Sequence, residues 1–115
     1  MSWMDAERYC QMLSLPGKMV HLASIHSQEE DEFIKDYVRS ASGLADYPRF
    51  WIGFNDIERE GQFQWSDGSD VSYESWGPGE PNNKKYEDCV ECRSDIYIKW
   101  NDEPCSRASV IVCKF

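Results

Sequence analysis

Basic residues are scarce in this chain. Twelve Lys and Arg stand against twenty-one Asp and Glu, a formal net charge of −9. A nucleic-acid partner is disfavoured on that ground, because recognition of a phosphate backbone rests on a basic patch. Long apolar runs are missing too: nothing approaches the roughly twenty residues that a membrane-spanning helix needs, so no membrane insertion is expected. The opening MSWMDAERYC has neither a positive first segment nor an apolar run behind it, and a secreted form would already have shed its leader. There is no internal repeat, linker or low-complexity tract. Histidine occurs only twice, as His21 and His26, with no nucleophile beside either, so both read as hydrogen-bonded structural side chains rather than catalytic groups.

What is present describes one packed domain spanning residues 1–115. The apolar fraction is 41% and there are five tryptophans, enough for a core. Cys10, Cys89, Cys92, Cys105 and Cys113 are many for a cytosolic domain of this size and point to an oxidising, extracellular setting. Because five is odd, one is left over or bonds to another chain. The acid excess suits a divalent cation, although it serves solubility equally well.

The pattern of elements is α+β. Ser2 with Asp5 has the form of a helix N-cap, and Trp3, Ala6, Cys10 and Leu13 make a helical stripe that Pro16 and Gly17 stop. KMVHLASI reads as a short strand. Ser27 and Glu30 form a second capping box opening SQEEDEFIKDYVRSAS, where Phe33, Ile34, Tyr37, Val38 and Ala41 are expected to make one buried face. The acids Glu29 to Glu32 sit where the helix dipole favours negative charge. RFWIGF, FQWSDGS, CVECRSDIYIKW and SVIVCKF supply strands, and residues 68–86 carry little regular pattern. A loop of that length in a small domain is usually functional when ordered.

Within it, WGPGEPNNKKYEDC crowds Glu80, Asn82, Asn83, Glu87 and Asp88 together, and Asn101 and Asp102 follow in KWNDEPC. Carboxylates so close repel one another unless a cation sits among them. Calcium takes roughly six to eight oxygens from carboxylates and amide carbonyls in flexible geometry. Glu80, Asn82, Glu87, Asn101 and Asp102 offer that chemistry. No soft ligand is required, which argues against zinc. A bond before Pro81 can be cis, which would let the side chains of Glu80 and Asn82 point at one ion.

Taken in order, WMDAERYC, WIGF at 51–54, GQFQWSDGS, EPN at 80–82, EDC at 87–89, WND at 100–102 and the final VCKF resemble the C-type lectin-like domain over nearly the whole chain. The resemblance implies a C-type lectin-like α+β fold: two helices plus antiparallel sheets with a long calcium-binding loop. It implies disulfides Cys10–Cys113 and Cys89–Cys105. Cys92 is then outside both, either a buried thiol on the strand face of Val90 or a bond to a second chain. Trp51, Trp65, Trp76 and Trp100 fall at core positions of the family. Members usually begin with a strand that pairs near VIVCKF; here the first helix starts almost at Met1, so that strand lies outside this chain or another segment covers the edge.

For function, the resemblance implies a Ca2+ site of Glu80, Asn82, Glu87, Asn101 and Asp102, the last also through its backbone carbonyl. Two neighbouring sugar hydroxyls complete it, hydrogen-bonded by Glu80, Asn82, Glu87 and Asn101. The order Glu-Pro-Asn goes with glycans bearing equatorial 3- and 4-hydroxyls, such as mannose, glucose and N-acetylglucosamine, or comparable fucose hydroxyls. The reversed Gln-Pro-Asp, which goes with galactose, is absent. Asp56 and Glu60, with Asn83, Glu87 and Asp88, match a second calcium site. One sugar site binds weakly, so a homo-oligomer would supply avidity.

Three other readings stay open. Cys89-x-x-Cys92 with Cys105 and Cys113 could hold zinc, at the cost of leaving Cys10 alone. The same fold could present its calcium site to a protein, mineral or ice surface instead of a sugar. Glu80 and Glu87 could act as paired hydrolase carboxylates, but the cation already requires both. Lys84, Lys85 and Tyr86 project from the loop, either solvated or in reach of a second saccharide or anionic substituent.

Overall fold

The computed structural model describes residues 1–42, 49–81, 87–93 and 99–114. Helix α1 (Trp3–Met12) is capped by Ser2, whose hydroxyl accepts from Asp5 N at 3.3 Å. Trp3, Ala6 and Cys10 lie on its buried face. Leu13 does not continue the stripe. It is the C-cap, its N–H donating to Cys10 O at 3.0 Å, and it points into solvent.

Helix α2 (Gln28–Ser42) starts with one half of the expected capping box, Glu30 N donating to Ser27 Oγ at 3.1 Å, while the Glu30 carboxylate accepts from His26 N at 2.7 Å, one residue before the cap. Its buried face departs from expectation. Ile34 and Val38 enter the core, but Phe33 and Tyr37 are 69% and 58% exposed and Ala41 is exposed as well. The inward stripe is instead Asp31, Ile34, Lys35 and Val38. Asp31 accepts from Lys35 Nζ at 3.0 Å, Tyr73 Oη at 3.3 Å and Trp100 Nε1 at 3.4 Å. Burying this satisfied polar group turns the helix and leaves Phe33 and Tyr37 outside.

The main sheet runs β3 (Gln64–Trp65), β2 (Arg49–Asn55), β4 (Cys89–Arg93), β5 (Trp100–Glu103), antiparallel throughout, with β6 (Val110–Ile111) parallel beside β2. Phe50 to Asn55 are all buried, which explains the unbroken apolar run: β2 is covered on both sides. Trp51 packs with Trp3, Cys10 and Leu22, while Phe50, Ile52 and Phe54 pack with Ile34, Val38 and Trp100. Gly53 is required by closeness. A Cβ there would stand 2.9 Å from Leu22 O and 2.7 Å from Ser66 Oγ.

Of KMVHLASI only β1 (His21–Leu22) is a strand, and SVIVCKF divides into β6 and β7 (Cys113–Lys114). β1 pairs antiparallel with β7, and Met1 O accepts from Ser109 N at 3.0 Å, so segments of this chain line the closing strands. Disulfides join Cys10 to Cys113 and Cys89 to Cys105, across 103 and 16 residues. By loop closure they are worth roughly 4.7 and 3 kcal/mol. Neither Cys89, Cys105 nor Cys113 is then available to zinc. Cys92 is outside both bridges and fully buried, which removes the access that a bond to another chain would need.

Candidate functional site

The loop that carries Glu80 is laid along β5 by backbone bonds. Trp100 N donates to Ser75 O at 2.8 Å, Gly77 N to Trp100 O at 2.9 Å, and Glu80 N to Gly77 O at 3.0 Å. Glu80 is thereby placed beside the strand of Asn101 and Asp102. The Glu80–Pro81 peptide is cis. Beneath, Trp100 is wholly buried against Phe54, Trp65, Tyr73 and Trp76, with ring centroids 5.4 to 6.0 Å away. Its indole is also tied to Asp31. The strand bearing Asn101 therefore stands on rigid packing rather than on loop contacts.

Asn101 is half-buried. Its amide Nδ2 donates to Glu103 Oε1 at 2.5 Å, and its Oδ1 is buried with no hydrogen-bond partner among the described residues. Asp102 is fully buried; Glu80 and Glu87 are half-buried. Asn82 and Asn83 lie outside the described residues, as do Lys84, Lys85 and Tyr86.

A second group forms where β2 ends. Asp56 N donates to Asp88 O at 3.0 Å, joining that end to the residue before β4. One carboxylate oxygen each from Asp56, Glu60 and Asp88 then lie within 4.8 Å of one another. Gly61 N donates to Asp56 Oδ2 at 2.8 Å, whereas Oδ1 of Asp56 and Oδ1 of Asp88 are buried without a hydrogen-bond partner among the described residues. The crowding is felt in titration. Hydrogen bonding to Asp88, then burial and the charge of Asp56, push Glu60 up to about 7; burial, reinforced by Asp88, raises Asp56. Buried acceptors facing one another without donors are what a hard cation satisfies, and all of them are oxygens. The residues present fit calcium.

Two polar side chains that hold this frame are not evident from residue type alone. Asp31 stands among helix-terminal acids, and only its i,i+4 spacing to Lys35 signals a buried pair. Glu7 accepts from Leu22 N at 3.0 Å and Ser66 Oγ at 2.8 Å, and His21 Nδ1 lies 2.7 Å from it. His26 Nε2 lies 3.1 Å from Ser24 Oγ and 3.1 Å from Ser69 Oγ. Both histidines are thus structural.

The fold and these oxygen clusters define a binding domain of C-type lectin architecture. A family model described as the lectin C-type domain matches residues 1–115. The chain is 35% identical over 121 residues to echinoidin of Heliocidaris crassispina, covering 99% of this chain and 82% of that one. It is 39% identical over 119 residues to a C-type lectin mannose-binding isoform of Oxyuranus scutellatus, covering 98% of this chain and 70% of that one. The crystal structure of the C-type lectin CEL-I from Cucumaria echinata superposes with a TM-score of 0.90 at 31% identity, over 98% of this chain and 81% of that one. Herring type II antifreeze protein superposes at 0.82 and 31%, with the same coverage of 98% and 81%. The chain belongs to the C-type lectin family, whose domains are binding proteins rather than enzymes and generally hold calcium. No helix among the described residues is long and apolar enough to cross a membrane.

Proposed function

We propose that the chain is a secreted, calcium-dependent lectin domain for glycans with equatorial 3- and 4-hydroxyls, mannose foremost. Glu80, Asn82, Glu87, Asn101 and Asp102 hold the sugar-binding ion. Asp56, Glu60, Asn83, Glu87 and Asp88 hold a second one that braces the loop. The observation that carries this reading is the buried Oδ1 of Asn101, an acceptor without a donor among the described residues, on the strand against which Glu80 is laid. Calcium, when bound, supplies open coordination positions to vicinal hydroxyls. Glu80 and Glu87 accept hydrogen bonds from the hydroxyls, and the amides of Asn82 and Asn101 donate to the hydroxyl oxygens. The mannose-binding isoform among the relatives supports the choice of sugar.

One such contact is shallow, and a single site should bind on the order of millimolar. Several domains together would raise the avidity. Passage over mannose-agarose with calcium and then with EDTA tests the reading: retention that survives EDTA refutes it. The antifreeze neighbour favours a second reading, in which the same cation cluster meets ice or a protein surface. Calcium binding with a blank glycan array and altered ice growth would establish that alternative.

A further inference from the structure

We propose that the cleft between α2 and the 73–77 segment is a second saccharide subsite. It takes the neutral pyranose next to the mannose-type residue held at Glu80, and so rests on the reading of that cradle as a sugar site. The cleft has a volume of about 750 Å³, within the usual span of small-ligand sites. Gln28, Glu32 and Arg39 line it from α2, Tyr73 and Trp76 from the loop, and Lys99 from the approach to β5.

Its chemistry selects a polyol. Four carboxylates and three cationic side chains border the cleft, a near balance with a negative remainder that disfavours an acidic ligand. Most of these acids already have donors: Asp31 is bonded by Lys35, Asp36 by Arg39, and Glu74 by Trp76 Nε1 at 2.7 Å. An entering cation would find them partly spent. Hydroxyls donate and accept at once, which suits a lining of alternating acceptors and donors. Tyr73 and Trp76, both half-buried, offer ring surface to the C–H face of a pyranose.

Gly77 connects the cleft to the cradle. A Cβ on it would stand 3.3 Å from Lys99 Cβ and 3.9 Å from Glu80 Cγ. Lys99 borders the cleft and Glu80 borders the cradle, so the two walls meet across a residue without a side chain. A ligand spanning both crosses backbone there.

Affinities of methyl α-mannoside and an α-linked mannotriose are compared by titration calorimetry at saturating calcium, with the Trp76 indole N–H followed by NMR. Two added hydrogen bonds predict roughly tenfold tighter binding of the trisaccharide. The indole resonance should move with the trisaccharide alone. Lys99→Ala combined with Glu32→Ala, both exposed positions, should bring the ratio of the two affinities toward one. Equal affinities, or an unmoved indole while methyl mannoside still binds, overturn the subsite and leave the cradle reading intact. Loss of all calcium-dependent methyl mannoside binding overturns both. Preference for a sulfated trisaccharide overturns the neutral class.

Discussion

Replacing Asp88 by Asn should move stability in opposite directions with and without calcium. Asp56, Glu60 and Asp88 bring three carboxylates within 4.8 Å, so in calcium-free solution they oppose one another and the substitution relieves that repulsion. With calcium present the same substitution removes a ligand. A dissociation constant on the order of 0.3 mM, ordinary for an extracellular module, gives about 2 kcal/mol of stabilisation at about 10 mM calcium. For 115 residues the entropy of unfolding is about 0.24 kcal/mol per kelvin, and the ion at this cluster should raise the wild-type midpoint by about 8 °C. In Asp88→Asn the calcium-free midpoint should lie above the wild-type value, and the calcium-induced rise should be smaller than in the wild type by most of that increment. Differential scanning calorimetry at neutral pH reads both. An equal calcium shift in the two proteins, or a variant less stable than wild type in EDTA, refutes the reasoning.

The pH response follows from the same cluster. Glu60 is pushed from 4.5 up to about 7, and Asp56 is raised above 3.8, so the calcium-free fold keeps protons that the unfolded chain has already released. Stability must then fall as pH rises from about 4.5 to about 7, and calcium, which displaces those protons, binds less tightly as pH falls through that window. Burial, with Glu103 nearby, raises Glu91 in the same sense, so the difference between wild type and Asp88→Asn isolates the cluster. A calcium-free midpoint that climbs across this range contradicts the account. Glu7→Gln should cost about 2 to 3 kcal/mol by chemical denaturation, because one amide cannot accept all the bonds that the carboxylate takes from Gln11, Leu22 and Ser66. Burial pushes Glu7 upward, but those bonds and His21 outweigh it and hold its pKa below 4.5; its contribution is present above that pH and lost below, a loss that Glu7→Gln should not show. Glu80→Gln with Asn82→Asp should exchange retention on mannose-agarose for retention on galactose-agarose, and unchanged retention counts against the cradle. Cys92→Ala should lower stability by about 1 to 2 kcal/mol, as expected for a small buried side chain, without changing elution on gel filtration.

The first helix and the central strand are legible in the sequence because their burial is simple. Trp3, Ala6 and Cys10 repeat at helical spacing, and Phe50 to Phe54 are apolar because both faces of β2 are covered. In α2 hydrophobicity and burial part company: Asp31 and Lys35 neutralise each other and go inside, where a count of apolar residues would put Phe33 and Tyr37. The short β1 and the divided end of the chain depend on pairing between residues 21–22 and 113–114, a separation that local pattern does not encode. For the site, residue types point to a hard cation but not to how its ligands would be brought together. Asp56 meets Asp88 through a backbone bond between the end of β2 and the start of β4, and no spacing rule predicts that.

Fold and site are coupled through the aromatic floor and the second disulfide. An irregular loop binds an ion well only when its ligands are held before the ion arrives, since otherwise ordering them consumes binding energy. Here the backbone of residues 75–80 is fastened to Trp100, and Trp100 is fastened to Asp31. Asp88 immediately precedes Cys89, whose partner Cys105 lies three residues beyond Asp102, so one covalent link closes the end of the antiparallel β4–β5 pair at which Asp88 and Asp102 lie. The residues that build the core thus also set the positions of oxygens that the core itself leaves unsatisfied. If the cradle proposed at Glu80 and Asn101 is the recognition site, it stands on a frame that need not change with the ligand.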